Sequence, residues 1–294
     1  MLRRNVTLSS FTCLLLCPLL LPQCAKDNRS SKSGGILIKD FTIVGTQALS
    51  STELARITGE LTGYCFNDDS EEMGERIRAV FQNRGYFAAE VKSVHFKSTD
   101  PLGVPKPVVM EAEVSEGLRY KLAEITFVEN HAISAGKLRD AFPLKPGDLF
   151  ERDKIARGLE SVRKLYGTDG YLDSVMIPAT AFGSNGTVSL KITVDEGPQY
   201  HMGKLEILAG AEMAARLLSK WKLAEGEVYD VSYIDQYIKA NRDLLPANFT
   251  TRDVVAAYDC PNALVQLRMV VDPEFDASKS APKSVPCEGQ DSKK

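Results

Sequence analysis

One pattern recurs along the chain at a spacing of about 80 residues, and it dictates how the rest must be read. The stretch Ile38 to Leu49 (IKDFTIVGTQAL) matches Leu122 to Ile133 (LAEITFVENHAI) at an offset of 84, and Leu54, Gly63 and Phe66 match Leu138, Gly147 and Phe150 at the same offset. After a one-residue slip, Gly85 and Tyr86 match Gly170 and Tyr171. A third copy starts near Lys204: Leu205 stands for Ile125, Gly226 and Tyr229 for Gly147 and Phe150, and Ile234, Ile238 and Leu244 for Ile155, Leu159 and Leu165. Self-similarity at a fixed period signifies a chain built from repeated supersecondary units.

Each period presents its local signals in one order. Ile125 to Val128 alternates with β-branched residues and predicts a strand. A short helix follows, Ser51 to Leu61 in the first copy and Ala135 to Phe142 in the second, with Ser51 and Ser134 as N-caps. A longer helix carries Ile155, Leu159, Val162, Leu165 and Tyr166 at helical spacing, with Asp153 near its positive end. Gly85 or Gly170 ends that helix, as a residue free to turn left-handed can. Two strands close the unit, Tyr171 to Phe182 and Thr187 to Asp195, joined by a turn at Gly183 to Gly186. The expected fold class is therefore α+β: three tandem β-α-α-β-β domains, each a three-stranded mixed sheet covered by two helices.

The connections between units are almost nil. Glu116, Gly117 and Tyr120 run straight into the second copy, and Glu196, Gly197 and Tyr200 run straight into the third, repeating Glu-Gly-x-x-Tyr at an offset of 80. Linkers this short make neighbouring units lean on one another, so these six residues are the expected interdomain junctions.

The unit order, the Gly-Tyr at the end of the second helix and the closing Val-x-Glu-Gly-x-x-Tyr together resemble POTRA domains, the periplasmic repeats of bacterial outer-membrane protein assembly factors and two-partner secretion transporters. The resemblance covers residues 36 to 274. The third copy departs from it, with Pro246 to Phe249 where Gly-Tyr would stand and Asp272 to Phe275 in place of the closing motif. Members of the assembly family usually continue into a membrane β-barrel; only Asp276 to Lys294 follow here, rich in Ser, Pro and Lys, so no barrel is expected and this stretch reads as a disordered tail. The expected domains are 36–119, 120–200, a divergent 201–274, and a tail over 275–294.

Arg3 and Arg4 precede an apolar run from Phe11 to Leu21, too short to cross a bilayer as a helix, so residues 1–24 read as a secretory signal and 25–35 as a polar linker. Cleavage has two readings: a lipid-modified Cys24, which would attach the chain to a membrane, or a small-residue site ending at Ala25. Removing the signal takes away both arginines and no acid, moving the net charge from −3 to −5, which leaves no cationic surface for nucleic acid. Export implies an oxidising compartment, where Cys260 and Cys287 are candidates for a disulfide tying the tail to the last domain.

Chemistry is sparse. His95, His131 and His201 fall in a strand, a turn and a junction without metal spacing, and no CxxC pair, phosphate loop or nucleophile elbow occurs. The acidic run Asn67 to Glu72 serves a helix start better than a cation. No cofactor, metal or catalytic residue is expected. The reading favoured is a non-enzymatic periplasmic binding or scaffold module, its partners outer-membrane β-barrel proteins or their unfolded precursors, held as strands added to an exposed sheet edge. By resemblance that edge is the second strand of a domain: Phe87 to Phe96, Leu172 to Ala181 or Val254 to Tyr258. In the second domain Leu172, Ser174, Val175, Met176 and Ile177 are the candidates, and proline at Val175 is expected to break it. Alternatives are a scaffold for a separately encoded barrel, a cell-division or secretion adaptor, and, last, an envelope enzyme.

Overall fold

The computed structural model describes residues 36–46, 49–62, 65–66, 70–272, 274 and 283–286. The signal segment with Cys24, the acids Asp68 and Asp69, and Cys287 lie outside the described residues. Two compact units are present: one gathers the chain through Ile125 with Pro143–Gly158 and Thr180–Leu190, the other Thr126–Phe142, Leu159–Ala179 and the chain from Lys191. The middle repeat contributes to both, and each junction between repeats falls inside one unit.

The first repeat runs β1 (Ile36–Val44), α1 (Ser51–Leu61), β2 (Cys65–Phe66), α2 (Ser70–Gln82), β3 (Glu90–Ser98), β4 (Lys106–Ser115). Its sheet is ordered β2-β1-β4-β3, with β1 parallel and β3 antiparallel to β4. Val108, Met110, Ala112 and Val114 alternate inward on β4, while Met73, Ile77 and Phe81 recur every four residues on α2 and are fully buried. Strand and helix periods thus aim two apolar stripes at one another, and burying each such side chain stabilises by about 1.5–3 kcal/mol. The helix cap is Ser50 rather than Ser51: its Oγ accepts from the Glu53 amide at 3.2 Å and Glu53 reaches back to the Ser50 amide at 3.0 Å. Adjacent serines offer the same cap chemistry, and Glu53 three residues on selects the first. The two-residue β2 adds a fourth strand that the repeat pattern did not predict.

The second repeat has β5 (Lys121–Val128), α3 (Ala135–Ala141), α4 (Arg152–Thr168), β6 (Val175–Phe182) and β7 (Thr187–Asp195), with sheet order β5-β7-β6. The third has β8 (His201–Leu208), α5 (Ala211–Lys220), α6 (Tyr233–Ala240), β9 (Val254–Asp259) and β10 (Leu264–Val270), ordered β8-β10-β9 with β8 parallel and β9 antiparallel to β10. The chain is α+β, in three repeats of β-α-α-β-β with mixed sheets. Phe249 replaces the missing Gly-Tyr: it is buried beside Leu245 and Tyr237, and Arg242 ties its carbonyl and that of Ala247 to the helix end. Trp221 stacks edge-on against Tyr233 and Tyr237 in the same core.

One difference concerns the tail. Val285, inside the stretch that composition assigns to disorder, pairs in parallel with Asp259 on β9. A single-residue bridge has no periodicity to betray it.

Candidate functional site

One outer strand of each sheet is the first strand of its closing pair: β3, β6 and β9. On β6, Val175 and Ile177 are 48% and 53% exposed and alternate with buried Met176. Leu172 and Ser174, expected on this edge, stand before the strand begins. Ser174 is buried, and Leu172 packs against the third repeat's cluster of Tyr200, Met202, Tyr229, Val265 and Leu267. The apolar pattern of Leu172 to Ile177 reads as strand, but Leu172 follows Gly170 and Tyr171 directly and is spent on the junction.

The Gly183 amide donates to the Thr187 carbonyl at 2.8 Å, and antiparallel pairing repeats every second residue. Carried unbroken along β6, that register turns Ile177, Ala179 and Ala181 toward β7, leaves Pro178, which has no N–H, in the other register and turns the N–H groups of Met176 and Thr180 outward. The expectation for proline at Val175 changes accordingly: that residue opens the strand in the inward register, and Thr180 is where proline would strike the free edge.

The two junctions share one set of bonds. The Tyr120 amide donates to Gly85 O at 2.7 Å and Tyr200 to Gly170 O at 2.8 Å. Next, the Phe150 amide donates to Tyr120 O at 3.0 Å and Tyr229 to Tyr200 O at 2.9 Å. Side chains repeat as well: Arg119 Nε donates to Arg84 O at 3.0 Å, and Gln199 Nε2 to Asp169 O at 2.9 Å. Gly170 has φ +84°, and a Cβ there would come within 2.7 Å of Tyr200 O, so only glycine lets the incoming chain approach. Phe87, directly after Gly-Tyr in the first copy, lies edge-on to Phe150 with centroids 4.7 Å apart, as Leu172 lies in the cluster holding Tyr229. Each of the first two repeats thus plugs an apolar side chain into the core of the next.

The second junction adds two hydroxyl–carboxylate pairs. Tyr200 donates to Asp173 Oδ2 at 2.7 Å, and Tyr166 to Glu196 Oε1 at 2.9 Å; Glu196 Oε1 also accepts from the Ala132 amide at 2.8 Å. Burial first, then the hydrogen bond to the carboxylate, raises both phenols well above the ordinary tyrosine range. The corresponding positions in the first copy are Ala88 and Phe81, which lack these groups, and Tyr120 instead meets Phe182 edge-on at 4.7 Å. Comparing the repeats position by position, Ala against Asp and Phe against Tyr, would have found the pairs from sequence. Gly117 and Gly197 share φ +67°, and the first copy has Phe81 where the second has Tyr166.

At the third edge, the Val285 amide donates to Tyr258 O at 2.8 Å, the Cys260 amide donates to Val285 O at 3.0 Å, and the Tyr258 amide donates to Ser284 Oγ at 3.1 Å. Cys260 is disulfide-bonded. Elsewhere, a shallow cleft of about 340 Å³ beside α2 and β3 is lined by Glu71, Glu75, Arg78 and Lys92. Among the described residues, no group of three His, Cys, Asp or Glu could hold a metal ion, and no helix is long and apolar enough to cross a membrane.

Tandem β-α-α-β-β repeats with glycine-tyrosine junctions define a class of modular, repeat-built proteins. A family model described as "POTRA: Surface antigen variable number repeat" matches residues 120–197, the middle repeat. The crystal structure of Haemophilus influenzae BamA POTRA3-5 shares the fold, with a TM-score of 0.55 at 19% identity over 81% of this chain and 96% of that one. A Treponema pallidum (strain Nichols) protein named "Putative outer membrane protein assembly factor" is 26% identical over 201 residues, 66% of this chain. The chain spans 23% of that relative's length. The middle repeat thus matches the POTRA family model, and the chain shares the fold of tandem POTRA repeats.

Proposed function

We propose that the chain is a non-enzymatic binding and scaffold module of the bacterial periplasm, acting in outer-membrane protein assembly, and that β6 receives extended segments of barrel proteins or their unfolded precursors as an added strand. The observation that carries this reading is the β6 edge: an outermost strand with exposed Val175 and Ile177. Main-chain hydrogen bonds supply affinity with little sequence preference, which suits clients that share only a β-rich, unfolded character. Domain limits of 36–119, 120–200 and 201–274 belong to the proposal, as do the Glu-Gly-x-x-Tyr junctions in spacing successive edges. So do export by residues 1–24 and attachment through Cys24.

The test is photo-crosslinking in envelope-bearing cells from a probe at Val175, with the captured proteins identified by mass spectrometry. Capture of outer-membrane barrel proteins that Thr180→Pro abolishes supports strand addition. No capture, or capture indifferent to Thr180→Pro, overturns it.

A further inference from the structure

The geometry assigns the outer edge of β9 to the chain's own C-terminal segment: Ser284 and Val285 bridge to β9 and close the third repeat to the extended polypeptide its edge would otherwise receive. Val285 lies parallel to Asp259, bonded through its N–H to Tyr258 O and through its C=O to the Cys260 N–H, the two-point bracket of a parallel ladder. Ser284 Oγ accepts from the Tyr258 amide, so both main-chain groups of Tyr258 are occupied. At the other end of β9, the Val254 amide donates to Thr251 O within the preceding turn. Engaged groups therefore stand on either side of Ala256, too short a gap for an incoming strand, which needs several consecutive outward groups.

The sequence of the segment suits this task. Val285 precedes Pro286, whose ring disfavours helical geometry at Val285 and holds it extended. Pro286 itself offers no N–H, so the added strand ends there and does not become a new template on its outer side. Parallel orientation matters too: a sequence-distant segment laid on an edge is what a partner strand would be, and here the chain supplies it. Capping falls on β9, whereas β6 carries exposed Val175 and Ile177, so the structure distinguishes a closed edge from an open one within a single chain.

The inhibitory half of this inference rests on the proposed strand-addition function; the capping half does not, and the test separates them. Amide hydrogen exchange would be followed in the full mature chain and in Val285→Pro, which deletes the donor to Tyr258. Capping predicts that Cys260 exchanges at least tenfold faster in the variant while Leu267 and Met269 on β10 are unchanged, showing the sheet intact. Equal Cys260 rates overturn it. Next, with a photoreactive residue at exposed Val255, a biotinylated peptide copying residues 279–288 with serine at 287 would be offered in trans. Several-fold greater capture by Val285→Pro than by the native chain supports a closed edge, and equal capture overturns it. If β9 behaves as described while the Val175 probe captures nothing in cells, the functional reading fails and the capping stands.

Discussion

The Tyr200 hydroxyl donates a hydrogen bond to Asp173 Oδ2 across the second junction at 2.7 Å, and burial together with that bond keeps the phenol protonated far above its ordinary range. Tyr166 does the same with Glu196, and burial pushes Tyr237 up to about 12. Unfolded, all three would titrate near ~10. Above that pH the unfolded chain releases protons that the folded chain keeps, so the folded state binds more and stability falls as pH rises. The contribution is complete below the unfolded value and disappears as pH climbs through the raised ones. Urea unfolding followed by Trp221 fluorescence should have a midpoint that is flat from about pH 7 to 9 and drops beyond 10. In the double variant Tyr166→Phe, Tyr200→Phe that drop should be shallower, with a loss of about 1 kcal/mol per site at neutral pH. An unchanged alkaline slope would show that these phenols do not stay protonated in the folded state.

Gly170 gives the junction its second sharp test. Alanine there would hold φ near +84° against its preference and set its methyl 2.7 Å from Tyr200 O, a carbonyl already receiving the Tyr229 amide. Strain and displaced backbone together should cost about 2–4 kcal/mol. Gly136 on α3 is the control: a methyl there meets nothing within 4 Å, and the better helix former should add up to about 1 kcal/mol. Thermal unfolding of the two variants should move in opposite directions.

What the sequence disclosed and what it hid divide along a physical line. The strand–helix–helix–strand–strand order was readable because buried residues repeat at 2 or 3.6 positions and because left-handed turns demand glycine, as at Gly85 and Gly170. The equivalence of Tyr120 and Tyr200 is readable from repetition alone, at an offset of 80. Leu172 was misassigned because an apolar residue near a strand looks the same whether it faces a sheet or plugs a neighbour's core. β2 and the Val285 bridge were invisible because one or two residues cannot display a period, and backbone hydrogen bonds leave no trace in side-chain identity.

On β6 the register makes proline a directional probe. Ile177→Pro removes a donor to β7 and should cost about 2 kcal/mol of stability, since an inward ladder bond is lost and its acceptor stranded. Thr180→Pro removes only an outward donor at an exposed position, so the thermal midpoint should stay within a few degrees while any strand-mediated capture disappears. Equal destabilisation by both would mean that the register changes along the strand, and the free donors would then have to be sought at odd-numbered positions.

Cys260 carries a disulfide at the point where its amide meets Val285. Cys287 stands two residues beyond Val285 in the sequence, and we propose it as the partner. Pairing would close a loop of about 27 residues and stabilise by about 3 kcal/mol, by restricting the unfolded chain. Non-reducing peptide mapping should recover one crosslinked fragment containing both cysteines. Cys287→Ser should lower stability by about that amount and also quicken Cys260 amide exchange, because an untethered tail holds β9 only at its own weak affinity rather than at a high effective concentration. If mapping joins Cys260 to Cys65 instead, the tail is held by its backbone bonds alone, and Cys287→Ser should leave both measurements unchanged.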